Sequence, residues 1–405
     1  MSTLQTALIA TIGLAWVLCG VGAHADSRPL EQKIDAVVDQ AIADDRIVGT
    51  VVLVAQDGKL VYERAAGLAD RESRKPMQLD TLFRFSSVTK PIVTVAALAL
   101  VDRKKLSLDD PVTKWLPDFE PKLADGRTPT ITVRQLLTHT AGLGYKFLEK
   151  ADGPYHEAQI SDGFDDVKIG LAEEMRRLAD VPLVNAPGSE WRYSLSMDVL
   201  GAVIERAAGQ PLDVALADLV TKPLGMTSTT FWVDRTHADR LATPYFNTPS
   251  GAARMADPQA VPDNMVVLVF SPSRAFDSKV FPSGGAGMIG SAPDVLRLLE
   301  AIRKGGAQVL EKSTADAMFR DHAAGLRGQE PGAGFGFGGA LIVDPAAAKT
   351  PQSVGTMYWG GVYGHSWFVD PARKITVVAL TNTSLEGMWG KFTFALRDAV
   401  YEGTR

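Results

Sequence analysis

Phe85-Ser86-Ser87-Val88-Thr89-Lys90-Pro91 runs directly into Ile92 to Val101, ten residues without a single charge. A proline in the first turn and an apolar run after it predict a helix that starts at the serines and is buried all round. Three positions along a helix is close to one turn, so the Ser87 hydroxyl and the Lys90 amine share a face near the amide-rich N-terminus. A lysine followed by so long an uncharged run is poorly placed to reach solvent. Burial penalises an ammonium, which favours the neutral amine that a proton acceptor must be. The pattern S-x-x-K alone is weak, because a chain of this size holds such a match by chance. The same residues also read as a helix cap beside a lysine that snorkels outward. Tyr193, in Trp191-Arg192-Tyr193-Ser194-Leu195, is a second titratable group that could share a proton with Lys90, or a core aromatic with a satisfied hydroxyl.

Outward from this stretch the chain changes character twice. Leu30 to Ala43 has helical apolar spacing, and Val51 to Ala55 and Leu60 to Tyr62 are strands joined across Asp57-Gly58, a hairpin turn pair. Helical stretches follow at Ser87 to Lys104, Thr132 to Thr138, Ile169 to Ala179 and Met197 to Ala208. Strand signal returns in Phe335 to Val343, Val354 to Trp359, Ser366 to Val369 and Ile375 to Leu380, before a last helix at Phe392 to Tyr401. A two-stranded hairpin is marginal alone, so early and late strands are expected to form one antiparallel sheet flanked by the terminal helices. The expected class is α/β (α+β), with residues 26–85 and 280–405 forming one subdomain. Residues 86–279 form a large, mainly helical insertion, with the active site at the seam. Gly-rich stretches at 141–163 and 325–339 read as surface loops.

Composition narrows the function. The 405 residues carry a formal charge of -5 without a long Lys/Arg run, which argues against nucleic acid or anionic membrane as partner and for a small molecule. Residues 1–25 lack charged side chains, and the apolar run Ala7 to Val21 ends in Ala23-His24-Ala25. This is a signal-peptide pattern with cleavage expected after Ala25, followed by periplasmic or secreted localisation without stable membrane insertion. Cys19 is the only cysteine and lies within that segment, so disulfides, thiolate catalysis and cysteine metal sites are not expected in the mature chain. The six histidines form no H-E-x-x-H or similar cluster, and no G-x-G-x-x-G or P-loop opens a helix. Neither metal nor organic cofactor is expected.

Further segments extend the pattern: Ile131-Thr132-Val133-Arg134-Gln135-Leu136-Leu137-Thr138-His139-Thr140-Ala141-Gly142-Leu143, Pro187-Gly188 ahead of Tyr193, Pro223-Leu224-Gly225-Met226, and Ser283-Gly284-Gly285-Ala286-Gly287-Met288. With the serine-lysine stretch they resemble the serine β-lactamase and penicillin-binding protein superfamily in its class C-like branch. Trp359-Gly360-Gly361-Val362-Tyr363-Gly364-His365-Ser366-Trp367-Phe368-Val369-Asp370 is similar to family VIII carboxylesterases, including those that deacetylate cephalosporins. The resemblance implies the serine β-lactamase-like fold and a serine esterase. Ser87 would be the nucleophile, Lys90 and Tyr193 its proton acceptors, and the backbone amides of Ser87 and Val362 the oxyanion hole. Trp359, Gly360 and Gly361 would line the substrate site, and short-chain acyl esters would be the substrates.

Leu195 and Trp359 stand where β-lactamases carry polar groups, which favours ester hydrolysis over ring opening. A β-lactamase or D-amino-acid peptidase, an acyltransferase and a catalytically silent scaffold are the alternatives. His139 and His365 read as structural. A monomer or small homo-oligomer is expected.

Overall fold

The computed structural model describes residues 30–263 and 266–404. The expected signal peptide, residues 1–25, lies outside them.

One antiparallel sheet joins the two ends of the chain. Its strands are β1 (Gly49–Gln56), β2 (Lys59–Asp70), β3 (Lys75–Pro76), β4 (Ala333–Phe335), β5 (Ala340–Ile342), β6 (Met357–Gly361), β7 (His365–Asp370) and β8 (Ile375–Thr381). They lie side by side in the order β4-β5-β6-β7-β8-β1-β2-β3. β1 pairs with β8 along its whole length, Val52 opposite Ala379, so residues more than 300 positions apart build the centre of the sheet. The β1–β2 turn forms as expected, with Asp57 at φ 52° and Gly58 at φ 80°, the twist that matches the flanking strands.

Strand alternation sends two sets of side chains to two faces. Val52, Val54, Phe368, Val377 and Ala379 face outward beneath the terminal helices α1 (Leu30–Ala43) and α7 (Lys391–Gly403). Val51, Leu53, Trp367, Val378 and Leu380 face a larger core shared with the helical region. At the centre of that region lies α2 (Thr89–Asp102), every residue of which from Thr89 to Leu100 is buried. Around it stand α3 (Val133–Leu137), α4 (Leu171–Asp180) and α5 (Ser196–Ala208), while α6 (Ala292–Arg303) packs on β8 and β1.

Three expectations need correction. Phe335 to Val343 is two strands, β4 and β5, paired as a hairpin; Gly336 to Gly339 make the turn, and Gly338 sits at φ 96°. The mainly helical middle also holds two β-hairpins, Tyr245–Thr248 with Gly251–Arg254 and Gln259–Asp263 with Val266–Phe270. The β-branched run Val266-Val267-Leu268-Val269-Phe270 carried that signal. Residues 141–163 are not a surface loop throughout: Ala141, Leu143, Tyr145, Ile160 and Asp162 are buried.

Candidate active site

Ser87 occupies a single 3-10 turn, Ser86–Val88, that feeds α2. Ser86 adopts a positive φ of 46°, a sharp bend that turns the chain from the Phe83–Arg84 bridge into the helix. The Ser87 side chain makes no capping bond to the helix. It is held instead between two titratable groups: its Oγ lies 2.5 Å from Tyr193 Oη, and Lys90 Nζ donates to it at 3.1 Å. Lys90 does not snorkel. Its side chain is buried, and Nζ also donates to the Gly285 carbonyl at 2.8 Å. The amine sits 4.7 Å from the centre of the Tyr193 ring and 5.6 Å from that of Tyr145.

Each neighbour comes from a different part of the chain. Tyr193 lies just before α5, and its ring is braced by His139 at 5.0 Å and Tyr145 at 5.0 Å between centroids. His139 is fully buried, with Nδ1 accepting from the Ser194 N–H; burial, and then the charge of Lys90, lower its pKa well below the usual histidine value. It is thereby kept as a neutral packing group, in line with its structural reading. Gly285 is positioned by Asp198 on α5, whose Oδ1 accepts from Ser283 Oγ at 2.5 Å and from the Gly285 N–H at 3.3 Å. Burial raises the Asp198 pKa, against the opposing pull of Ser283 and Lys90.

The end of β6 completes the site. A Cβ on Gly361 would lie 2.2 Å from the Phe85 carbonyl, so only glycine lets this strand press against the chain entering Ser87. Val362, the next residue, lines the same cleft as Ser87. The Ser87 N–H belongs to the first turn of a helix, where donors have no intrahelical acceptor, and among the described residues no acceptor is bonded to the Val362 N–H. His365 holds the two segments together from behind: its Nε2–H donates to the Arg84 carbonyl at 2.8 Å. Burial lowers its pKa to about 4, leaving it neutral near pH 7.

Above Ser87 opens a cleft of about 940 Å³, lined near the serine by Tyr145, Phe164, Tyr193, Phe335 and Trp359. Trp359 stacks obliquely on Tyr193 at 5.3 Å and meets Phe335 edge-on at 5.6 Å. Leu195 contributes nothing to this wall, being fully buried beneath it.

The structure thus gathers Ser87, Lys90, Tyr193, Trp359, Gly360, Gly361 and Val362 at one place. Sequence reasoning missed Tyr145, Phe164, Phe335, Asp198 and the Gly285 carbonyl. Gly144-Tyr145 lay within a stretch read as a surface loop, and a backbone carbonyl has no sequence signature. Among the described residues no three His, Cys, Asp or Glu side chains gather as a metal site.

A buried serine bonded to both a lysine and a tyrosine, on a helix abutting an antiparallel sheet, defines a class. The chain belongs to the Beta-lactamase family, which it matches over residues 34–398. Within that family it is an esterase. It is 53% identical to the esterase EstB of Burkholderia gladioli over 380 residues, 93% of this chain and 96% of that one. It superposes on the structure of EstCE1, described as a hydrolase with promiscuous acyltransferase activity, with TM-score 0.88 and 47% identity, covering 92% and 98% of the two chains. More distantly, it is 28% identical to the monacolin J acid methylbutanoyltransferase of Aspergillus terreus, over 84% of this chain and 87% of that one.

Proposed function

We propose that the chain hydrolyses carboxylic esters of short acyl groups, the acetyl ester of cephalosporins among them, through an acyl-enzyme on Ser87. The observation that carries this reading is the Ser87 hydroxyl bonded to Tyr193 and Lys90 at the base of an apolar cleft. Tyr193, as a phenolate beside the Lys90 cation, takes the Ser87 proton while Oγ bonds to the ester carbonyl carbon. The carbonyl oxygen gains the charge and accepts from the N–H groups of Ser87 and Val362, an arrangement whose loss of one donor typically costs about 100- to 1000-fold in rate. As the C–O bond to the alcohol breaks, the proton passes from Tyr193 to the departing oxygen. Water then repeats the sequence on the acyl-enzyme, releasing the acid and restoring Ser87.

Trp359, Gly360 and Gly361 form the substrate wall. An indole where a cation would orient the antibiotic carboxylate supports attack on ester carbonyls over opening of the β-lactam ring. Acyl transfer is the second reading, supported by a cleft large enough for an acceptor alcohol beside the acyl group. Residues 26–85 with 280–405, and residues 86–279, are read as two subdomains with Ser87 at their seam. Export to the periplasm or the medium after cleavage behind Ala25 completes the reading; N-terminal sequencing of the mature protein should begin at Asp26, and an intact Met1 would refute it.

The test is a phosphonate ester with mass mapping, run beside p-nitrophenyl acetate and nitrocefin. One adduct on Ser87, acetate turnover and intact nitrocefin are expected, and Ser87→Ala should abolish both adduct and turnover while melting as the parent does. An adduct elsewhere, or a Ser87→Ala variant that retains turnover, would overturn the mechanism. Faster nitrocefin cleavage would transfer the site to β-lactams, and product esters formed with an added alcohol would reveal acyl transfer.

A further inference from the structure

Behind Lys90 stands a buried carboxylate. Among the described residues Lys90 makes no ion pair; its Nζ donates to Ser87 Oγ and to the Gly285 carbonyl. The N–H of that same Gly285 donates to Oδ1 of Asp198, so a single residue spans the gap between the amine and the carboxyl group. Only glycine fits here: a Cβ on Gly285 would lie 2.5 Å from Asp198 Oδ2, and one on Gly284 2.4 Å from the Met197 carbonyl. The loop is pressed flush on the first turn of α5, where Asp198 is 1% exposed.

Asp198 is built to hold a charge. Burial favours its neutral acid, while Ser283, the Gly285 N–H and Lys90 favour the carboxylate. Oδ1 accepts both of those hydrogen bonds, and Oδ2 is buried without a partner among the described residues. A proton on Oδ2 would be a donor with no acceptor, whereas the ionised group keeps both bonds and faces the Lys90 cation. Other charges around the pair are few. Arg274 and Glu174 also lie within electrostatic reach of Asp198. On the Lys90 side, His139 is neutral, and burial, then the charges of Tyr193 and Asp198, raise the Tyr145 pKa well above the ordinary phenol value.

We propose that Asp198 is the counter-charge of Lys90 and a positioning residue for the proton transfer at Ser87. Through Gly285 it seats Nζ on the serine oxygen, and its field keeps Nζ an ammonium. The inference rests on the ester-hydrolase reading, in which Tyr193 acts as a phenolate beside the Lys90 cation. A negative charge on this side favours the ammonium and opposes the phenolate, so it sets the pH at which the pair is poised.

The test is the pH profile of kcat/KM for p-nitrophenyl acetate. In the proposed cycle this is a bell, falling on the acid side as Tyr193 is protonated and on the alkaline side as Lys90 loses its proton. Asp198→Asn should move both limbs down by about one pH unit. At the optimum kcat should fall about tenfold, with KM nearly unchanged. Asp198→Ala removes the same charge and leaves no amide to be partnered; it should move the limbs equally, and it carries the test if the Asn variant does not fold. Glu174→Gln, which removes the other buried carboxyl, should leave both limbs in place. A bell that narrows from both sides would mean that the substitution only parts Lys90 from Tyr193, and a bell that stays in place while kcat falls would leave Asp198 a packing group; either result would overturn the proposal. Parent turnover of p-nitrophenyl acetate keeps the hydrolase reading standing in both cases, and a parent that leaves this ester intact would bring down that reading and the role of Asp198 together.

Discussion

Lys90 and Tyr193 both reach the Ser87 oxygen, and the Lys90 amine lies 4.7 Å from the centre of the Tyr193 ring. The proposed mechanism has the two handle one proton as a unit. Lys90→Ala and Tyr193→Phe are each expected to lower kcat for p-nitrophenyl acetate by orders of magnitude, and the double variant to be little worse than either. Losses that multiply would refute the coupling. The serine and lysine were legible because one helical turn fixes their relation whatever the rest of the chain does. Tyr145 and Gly285 were not legible, since each enters the site through a loop that folds back from elsewhere.

At the scale of elements, the site depends on how closely the end of β6 approaches the turn before α2. The His365 bond to the Arg84 carbonyl sets that approach from β7. His365→Ala is therefore expected to lower kcat for p-nitrophenyl acetate by about 10- to 100-fold, with KM nearly unchanged, because the proposed mechanism makes the Ser87 and Val362 N–H groups the oxyanion donors and a small misplacement of them is costly. His365→Gln keeps a donor near the Nε2 position and should recover part of the loss. An equal loss in both variants, or a change confined to KM, would show that the bond does not position the donors.

Glu174, in the first turn of α4, is an element-level stability switch. Burial pushes its carboxyl up to about 9, from an ordinary 4.5. The folded chain thus binds a proton that the unfolded chain releases in this window, so stability falls as pH rises from about 4.5 to 9. Glu174→Gln should flatten the decline in Tm measured at pH 5, 7 and 9. A parallel decline in both proteins would assign the pH dependence to other groups.

The whole molecule is closed by its two ends. α1 and α7 pack together over the outer face of the sheet, where Phe392 is fully buried against residues of β1, β7 and β8. Phe392→Ala should cost about 3–5 kcal/mol, seen as a lower urea midpoint. The kcat for p-nitrophenyl acetate in the folded range should be unchanged, because Phe392 packs on the face away from Ser87. A large fall in kcat without loss of stability would mean that the outer face is coupled to the serine in some other way.

The sequence by itself determined what local chemistry can fix: the helix behind Ser87, the one-turn relation to Lys90, the strands at both ends and the tight Asp57-Gly58 turn. Periodicity, turn preference and helical spacing act over a few residues, so they can be read without the fold. Tertiary structure alone decided that β1 pairs with β8, that Tyr193 lies 2.5 Å from Ser87, and that the Gly285 carbonyl receives Lys90. These are contacts between residues about a hundred or more positions apart, and only packing the helical region against the sheet that the two chain ends build brings them within bonding distance.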